Sequence, residues 1–108
     1  MGYVIDFAPE ALDDLKGIVR EIAKDNPEKA ESFGYELVGK TDILEDFPRS
    51  GKVVPEFGDD RIRELQLKPY RIVYQIIDEK TLVVILRYWH AARGYISNNT
   101  EPGAGGNG

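Results

Sequence analysis

Hydrophobic and polar residues are spaced in two different ways along the chain, and the spacing predicts where helices and strands lie. The stretch Y-V-I-D-F at positions 3–7 is short and rich in β-branched and aromatic residues, which predicts a strand. From Ala8 to Ile22 the apolar residues recur every three or four positions, as in an amphipathic helix. Pro9 and the acidic residues just after it suit the first turn of that helix.

A second helix is predicted directly after the first. Asn26 can cap this helix and Pro27 can be its first residue, whereas Pro48 ends it. The apolar stripe in between comprises Ala30, Phe33, Leu37, Val38, Thr41 and Leu44, with Phe47 near the end. Because the connection is so short, the two helices should form an antiparallel hairpin.

Three glycines, Gly17, Gly34 and Gly39, fall inside the predicted helices. Each costs about 1 kcal/mol relative to alanine in a helix interior. Either a close approach of neighbouring backbones or simple tolerance explains them, and the sequence favours neither.

The second half of the chain has the composition of strands. Residues 49–60 are rich in turn formers, which predicts a loop. Three β-type runs follow, at 61–67, 70–77 and 81–89. Lys68-Pro69 can turn between the first two runs, and the short connection at 78–80 predicts an antiparallel hairpin.

The predicted order is β-α-α-β-β-β, which is typical of the α+β class. The helix hairpin should pack on one face of a mostly antiparallel, four-stranded sheet and leave the other face available. Tyr70, Ile72, Tyr74 and Ile76 share one strand face and are predicted core residues. Residues 1–96 should form a single domain, and the glycine-rich residues 97–108 a disordered tail.

Composition excludes several kinds of site. The 108 residues contain no cysteine and one histidine, so disulfides and thiolate metal sites are excluded and other metal sites are not expected. There is no glycine loop that cradles a phosphate, and no cofactor is predicted. No apolar run is long enough to span a bilayer, and the N-terminus lacks the layout of a signal peptide, so a cytoplasmic protein is expected.

The formal net charge of −5 is unevenly distributed. Residues 1–60 contain 7 basic and 15 acidic residues, whereas residues 61–93 contain 7 basic and 3 acidic residues. This asymmetry suggests an acidic, solvated half and a basic working half. For the surface charge alone, the simpler interpretation that the helix surfaces are acidic is favoured.

Three segments resemble one family. They are A-x-x-D-L at 11–15 on the first helix, R-E-L-x-L-x-x-Y-R-I-V-Y at 63–74, and V-V-I-L-R-Y-W-H-A-A-R at 83–93. Together with the element order they resemble the RelE/ParE superfamily of toxins, also called plasmid stabilisation proteins, and the last segment is more similar to the ParE branch. The resemblance implies a compact toxin that a cognate antitoxin holds inactive in a hetero-oligomer. RelE-like members cleave mRNA on the ribosome, whereas ParE-like members are DNA gyrase poisons.

An RNA-cleaving site needs a base, an acid and cations at the phosphate. The catalytic candidates for that chemistry are His90, Arg71 and Arg63. The acidic pI of about 4.9 opposes RNA binding, because phosphate contacts supply much of the affinity for nucleic acids. Each candidate also has a structural explanation: Arg63 and Glu64 could each pair with neighbours across strands, Arg71 could be an exposed strand arginine, and His90 could pack or bond a backbone group.

A surface that only binds a partner needs fewer specific residues than an RNA-cleaving site. Arginine and tryptophan dominate interface energies, and a basic sheet half would suit an acidic, aliphatic antitoxin segment. The residues predicted to bind the target or the antitoxin are Arg61, Arg63, Arg71, Arg87, Trp89, His90 and Arg93. The favoured interpretation is a ParE-like toxin that inhibits growth through DNA gyrase. The alternatives are a RelE-like, ribosome-dependent mRNA endonuclease and a non-toxic binding domain of the same fold.

Overall fold

The computed structural model describes residues 2–94 and residue 96, and it places two α-helices against one face of a single sheet. Its elements are β1 (Val4–Phe7), α1 (Pro9–Ala23), α2 (Pro27–Gly39), β2 (Lys52–Val53), β3 (Ile62–Leu67), β4 (Tyr70–Ile77) and β5 (Leu82–His90). The α+β class and the predicted element order are confirmed, with one additional strand. The tail predicted at 97–108 lies outside the described residues.

The strand order is β1-β5-β4-β3-β2. β1 runs parallel to β5, and every other neighbouring pair is antiparallel. β5 therefore lies inside the sheet, where it pairs Trp89 with Arg71 and His90 with Tyr70 of β4. A register shift between Val73 and Tyr74 of β4 interrupts this ladder.

The sheet has five strands and not four, because the predicted loop at 49–60 contains β2. This strand pairs Lys52 with Glu64 and Val53 with Arg63. Two residues are too short a run to show the period-two alternation by which a strand is recognised in a sequence.

The helix boundaries follow the predicted signals at their starts. Pro9 and Pro27 are the first residues of their helices, and the side chain of Asn26 accepts a hydrogen bond of 3.1 Å from the backbone N–H of Lys29. α2 ends earlier than predicted, at Gly39, and the chain continues as a 3₁₀ helix over Lys40–Glu45. That change of helix type keeps the predicted stripe residues Thr41 and Leu44 buried.

Of the three helical glycines, only Gly34 stands at a close approach. A Cβ atom on Gly34 would lie 3.0 Å from a methyl carbon of Val19, so its absence lets α2 lie close to α1. A Cβ atom on Gly17 or Gly39 would meet nothing within 4 Å. Tolerance therefore explains these two positions.

Both faces of the sheet bury apolar residues. The larger core lies between the sheet and the helices, and it contains the predicted residues Ile72, Tyr74 and Ile76, with Tyr70 packed against it. The opposite face, called the outer face here, has a smaller cluster that comprises Val54, Ile62, Val73, Leu86, Trp89 and Ile96. The outer face is therefore partly covered.

Candidate functional site

Arg71 lies near the start of β4 on the outer face, between two carboxylates. Its Nε donates to Glu64 Oε1 at 2.6 Å, and its two terminal nitrogens donate to Glu56 at 2.8 and 2.9 Å. A further bond of 3.1 Å reaches Glu64 Oε2. The side chains of Arg71, Glu56 and Glu64 are only 14%, 9% and 2% exposed. The interpretation of Arg71 as an exposed strand arginine is therefore wrong.

The geometry of the strands explains this cluster. Arg71 pairs with Gln66 across β3 and β4, so Glu64, two residues away on β3, presents its side chain on the same face. Glu56 reaches the cluster from the turn that follows β2. We call Glu56, Arg71 and Glu64 the arginine clamp.

The clamp shifts the pKa values of Glu56 and Arg71 so that both charged forms are favoured. The Arg71 guanidinium lowers the pKa of Glu56 from 4.5 to about 2, and the two carboxylates raise the pKa of Arg71. Two carboxylates facing one guanidinium make a cluster with one excess negative charge. An adjoining cleft of about 440 Å³, also lined by Lys52 and Gln66, is therefore poorly suited to hold a phosphate.

The segment after β5 folds back over the outer face and is attached to the clamp. The backbone N–H of Ile96 donates to Glu56 Oε2 at 3.1 Å, and the Trp89 indole donates to the carbonyl of Gly94 at 3.1 Å. Gly94 has a φ of 74°, which favours glycine at this turn. Ile96 is 2% exposed and completes the outer cluster.

Arg87 is held at the edge of β5 by Asp14 of α1. Its Nε and Nη2 donate to the two carboxylate oxygens of Asp14 at 2.6 and 2.9 Å. Asp14 also accepts a bond of 3.0 Å from the backbone N–H of Tyr88. Because β1 pairs with β5 only at 82–85, Asp14 takes the place of a strand partner for Tyr88. This role explains the aspartate in the segment A-x-x-D-L.

Arg93 differs from the other arginines of the predicted surface. Its guanidinium lies 4.0 Å from the centre of the Trp89 ring, and that of Arg87 lies 5.2 Å from the same ring. Arg61, Arg63, Arg71 and Arg87 all pair with carboxylates. Among the residues that the structure describes, Arg93 takes part in no ion pair.

His90 lies on the helix side of the sheet. Its ring packs edge-on against Tyr70 with the ring centres 5.1 Å apart, and its Nδ1 accepts a bond of 3.0 Å from the backbone N–H of Ala92. These two contacts are those of a histidine that shapes the exit from β5.

Arg63 and Arg61 hold the loop before β3. The Arg63 guanidinium donates to the carbonyls of Asp60, Arg49 and Gly51 and to the carboxylate of Asp60. Arg61 pairs with Asp59 at 3.2 Å. The prediction that Arg63 and Glu64 pair with neighbours across strands therefore holds for Glu64, which pairs with Arg71 of β4, whereas Arg63 pairs with Asp60 of the preceding loop.

The three catalytic candidates do not converge. His90 and Arg71 lie on opposite faces, and Arg63 pairs with Tyr74, four residues along β4 from the partner of His90. Four residues of strand correspond to about 13 Å. In contrast, Arg71, Trp89 and Arg93 share the outer face, with Arg87 at its edge. Sequence reasoning missed Glu56, Asp14 and Ile96, although Asp14 was part of a family segment.

Within residues 2–94 and 96, no group of three or more histidine, cysteine or acidic residues could hold a metal ion. In the same residues, no helix is long and apolar enough to cross a membrane.

Comparison with known proteins identifies relatives of the chain. Residues 5–95 match the family model of the ParE toxin of the type II toxin–antitoxin system parDE. The fold is similar to the chromosomal ParDE system from P. aeruginosa, with 21% identity, a TM-score of 0.67, and 82% of this chain and 95% of that chain covered. No curated protein sequence matches the chain significantly.

Two RelE-type structures are also similar. A mutant of the E. coli toxin RelE in the free state is 26% identical, with a TM-score of 0.55 and coverage of 87% of this chain and 88% of that chain. A RelBE toxin–antitoxin complex from Mycobacterium tuberculosis is 28% identical, with a TM-score of 0.54 and coverage of 83% and 92%.

Proposed function

Because the chain belongs to the ParE toxin family and is a toxin of the type II toxin–antitoxin class, we propose that it arrests growth by acting on DNA gyrase and that it does not cleave RNA. A cognate antitoxin neutralises it in a hetero-oligomer. The toxin acts in the cytoplasm through a single domain formed by residues 1–96.

The arginine clamp is the observation that supports this choice over a nuclease. Ribonucleolytic chemistry needs cations that are free to stabilise the charge that develops at the phosphate. The N–H groups of Arg71 already donate to Glu56, Glu64 and, at 3.5 Å, the carbonyl of Gly94. To bind a phosphate, Arg71 would have to leave two carboxylates buried and unpaired, which is strongly unfavourable.

The position of His90 supports the same choice. A general acid or base must lie within hydrogen-bond reach of the reacting group. His90 faces the helix side, and its Nδ1 already accepts a bond from Ala92. No phosphate bound near Arg71 on the outer face is within its reach.

A binding function requires neither a free cation at a phosphate nor a general acid or base. The exposed Arg93 stacked on Trp89 provides a cation on a rigid aromatic support, and such pairs are enriched in the centres of interfaces. We propose that this pair, with Arg87 beside it, contacts the target. Relatives of known structure include toxin–antitoxin complexes, which supports an antitoxin as the second partner.

Induced expression in bacteria tests the proposal. The chain should arrest growth and switch on a reporter of DNA damage, and co-expression of the neighbouring small open reading frame should restore growth. The His90→Ala variant should behave like the wild type. Growth arrest with new mRNA ends and a silent reporter would establish the ribonuclease instead, and normal growth would establish a non-toxic domain.

A further inference from the structure

The helix hairpin has a solvent-facing groove on the side of the molecule opposite the outer face. The groove between α1 and α2 has a volume of about 290 Å³ and is lined mainly by Leu15, Val19, Ala30, Gly34, Tyr35 and Val38. Tyr35 is 72% exposed, Val38 is 37% exposed, and Leu12, one turn before Leu15 on α1, is 42% exposed. Clustered exposure of this kind marks an interaction surface more often than scattered apolar residues do.

The apolar residues of the groove form their own stripe. Leu12, Leu15 and Val19 recur at helical spacing on α1, one step around the helix from the core residues Ala11 and Ile18. On α2 the stripe continues with Tyr35 and Val38. The missing side chain of Gly34 keeps the two helices close, so the stripes of both helices form one continuous surface.

The two edges of the groove have opposite charges. Lys16 and Arg20 lie along the α1 edge, where they line an adjoining depression with Leu15 and Val19. Glu31 lies on the α2 edge, with Glu28 one turn before it. All four side chains are exposed, and none takes part in an ion pair with any other residue that the structure describes.

We propose that this groove binds a second copy of the same chain, which gives a two-fold symmetric dimer with a four-helix layer at its centre. A two-fold axis parallel to the hairpin sets α1 of one copy against α2 of the other. Arg20 of one copy then lies at the height of Glu31 of its partner, and the reverse contact forms at the same time. The basic edge of each copy meets the acidic edge of the other, while Tyr35 and Val19 are covered.

The size of the surface predicts a weak dimer. α1 has 15 residues and is therefore about 22 Å long, and packed helices lie about 10 Å apart. The hairpin therefore offers each copy only a small patch, at the lower end of specific interfaces, which is typical of weak, transient association. The outer face of the sheet lies on the far side of the molecule, so the dimer leaves Arg93 accessible. The inference therefore does not depend on the proposed target.

Sedimentation velocity tests the dimer over a range of protein concentrations. The full chain, made by cell-free synthesis because it is a toxin, should pass from monomer to dimer as its concentration rises. Arg20→Glu should weaken the dimer about tenfold, because each substitution acts twice in a two-fold interface. The double variant Arg20→Glu/Glu31→Arg should restore it. Lys80→Glu, which reverses an exposed charge in the β4–β5 turn, is the matched control and should change nothing.

Tyr35→Ala provides an independent test of the apolar part. Because Tyr35 is 72% exposed, its removal should leave the circular dichroism spectrum unchanged and abolish the dimer. A chain that stays monomeric at all concentrations would overturn the proposal, and the groove would then be left to the antitoxin. A dimer that survives Arg20→Glu and Tyr35→Ala alike would also overturn it, since another surface must then be responsible.

Discussion

Arg71 and His90 lie on adjacent strands but on opposite faces of the sheet. Trp89, the cross-strand partner of Arg71, belongs to the outer cluster, whereas His90 pairs and packs with Tyr70 on the helix side. The neighbouring residues of the segment R-Y-W-H therefore serve two surfaces. Trp89 supports Arg93 on the outer face, and His90 shapes the turn that follows β5.

This separation predicts different effects for two substitutions on toxicity. Arg93→Glu should remove growth arrest, because it replaces the cation over Trp89 by a carboxylate. That carboxylate has the same sign of charge as the arginine clamp. His90→Ala should retain growth arrest. Colony counts after induction measure both effects, with Lys80→Glu as a charge-changing control. If His90→Ala alone abolished arrest while folding normally, the assignment of His90 to a structural role would be wrong.

Removal of Arg71 should strongly destabilise the fold. Arg71→Ala leaves Glu56 and Glu64 facing each other with little exposure, and breaking one side of a buried ion pair costs about 3–5 kcal/mol. Arg61→Ala removes a pair whose arginine side chain is 57% exposed, so it should change the free energy of unfolding far less than Arg71→Ala does. Urea unfolding of both variants gives the comparison. Equal losses would mean that Arg71 is not a structural member of the clamp.

The clamp should also control stability in acid. The pKa of Glu56 is 4.5 in the unfolded chain and about 2 in the folded protein, so its contribution is complete above about pH 5 and is lost as the pH falls towards 2. The shift corresponds to a contribution of up to about 3 kcal/mol. Glu56→Gln should therefore show a shallower loss of unfolding free energy over this range than the wild type.

The control for this measurement is Glu79→Gln, an exposed carboxylate in the β4–β5 turn. Asp60 and Asp78 also have lowered pKa values, because Arg63 and Arg49 respectively donate to them, and they remain in all three proteins. Only the difference between Glu56→Gln and Glu79→Gln therefore reports on the clamp. Identical pH profiles for these two variants would contradict the assignment.

Asp14 should matter more than its neighbour Asp13. Asp14→Asn keeps an acceptor for the N–H of Tyr88 but loses the charged pair with Arg87. The side chains of Arg87 and Asp14 are only 17% and 15% exposed. A loss of about 1–3 kcal/mol in unfolding free energy is expected. Asp13→Asn, at an exposed position of the same helix, should be nearly neutral. Thermal or urea unfolding measures both variants. An unchanged unfolding free energy in Asp14→Asn would contradict the proposed contribution of Asp14 to the contact between α1 and β5.

Two glycine-to-alanine changes should have opposite effects. A Cβ atom on Gly51 would lie 2.5 Å from the carbonyl oxygen of Glu64 and 2.6 Å from the Tyr74 hydroxyl, which also bonds the Gly51 N–H and the Pro48 carbonyl. Gly51→Ala should therefore destabilise the protein severely, by more than about 2 kcal/mol. Gly17→Ala should stabilise it by up to about 1 kcal/mol. The midpoints of thermal unfolding measure both, and a well-tolerated Gly51→Ala would contradict the packing around Tyr74.

The sequence was sufficient for the architecture because long elements leave regular patterns. The helix starts at Pro9 and Pro27 and the inward stripe of β4 all have local signals. The two-residue β2 has none, so the sheet was predicted with four strands. In the 3₁₀ helix after Gly39, the apolar residues have the same spacing as in one turn of an α-helix. The hydrophobic pattern of the sequence therefore does not reveal the change of helix type.

The site was harder to predict because its partners are distant in the chain. Arg71 meets Glu56 fifteen residues away, and Arg87 meets Asp14 seventy-three residues away. The count of basic residues in 61–93 suggested a basic surface, but it could not show that carboxylates from the acidic half neutralise most of those arginines. Arg93 was one of seven predicted binding residues. Among the described residues, it differs from the other four arginines of that set because it stacks on Trp89 without pairing with a carboxylate.

The most direct test of the central claim is a DNA cleavage assay with purified gyrase, supercoiled plasmid and the purified chain. We predict that the wild type and His90→Ala both trap gyrase on DNA, so that linear plasmid appears after the proteins are denatured, and that Arg93→Glu does not. A plasmid left intact by the wild type, together with ribosome-dependent cleavage of mRNA by the same sample, would contradict the account.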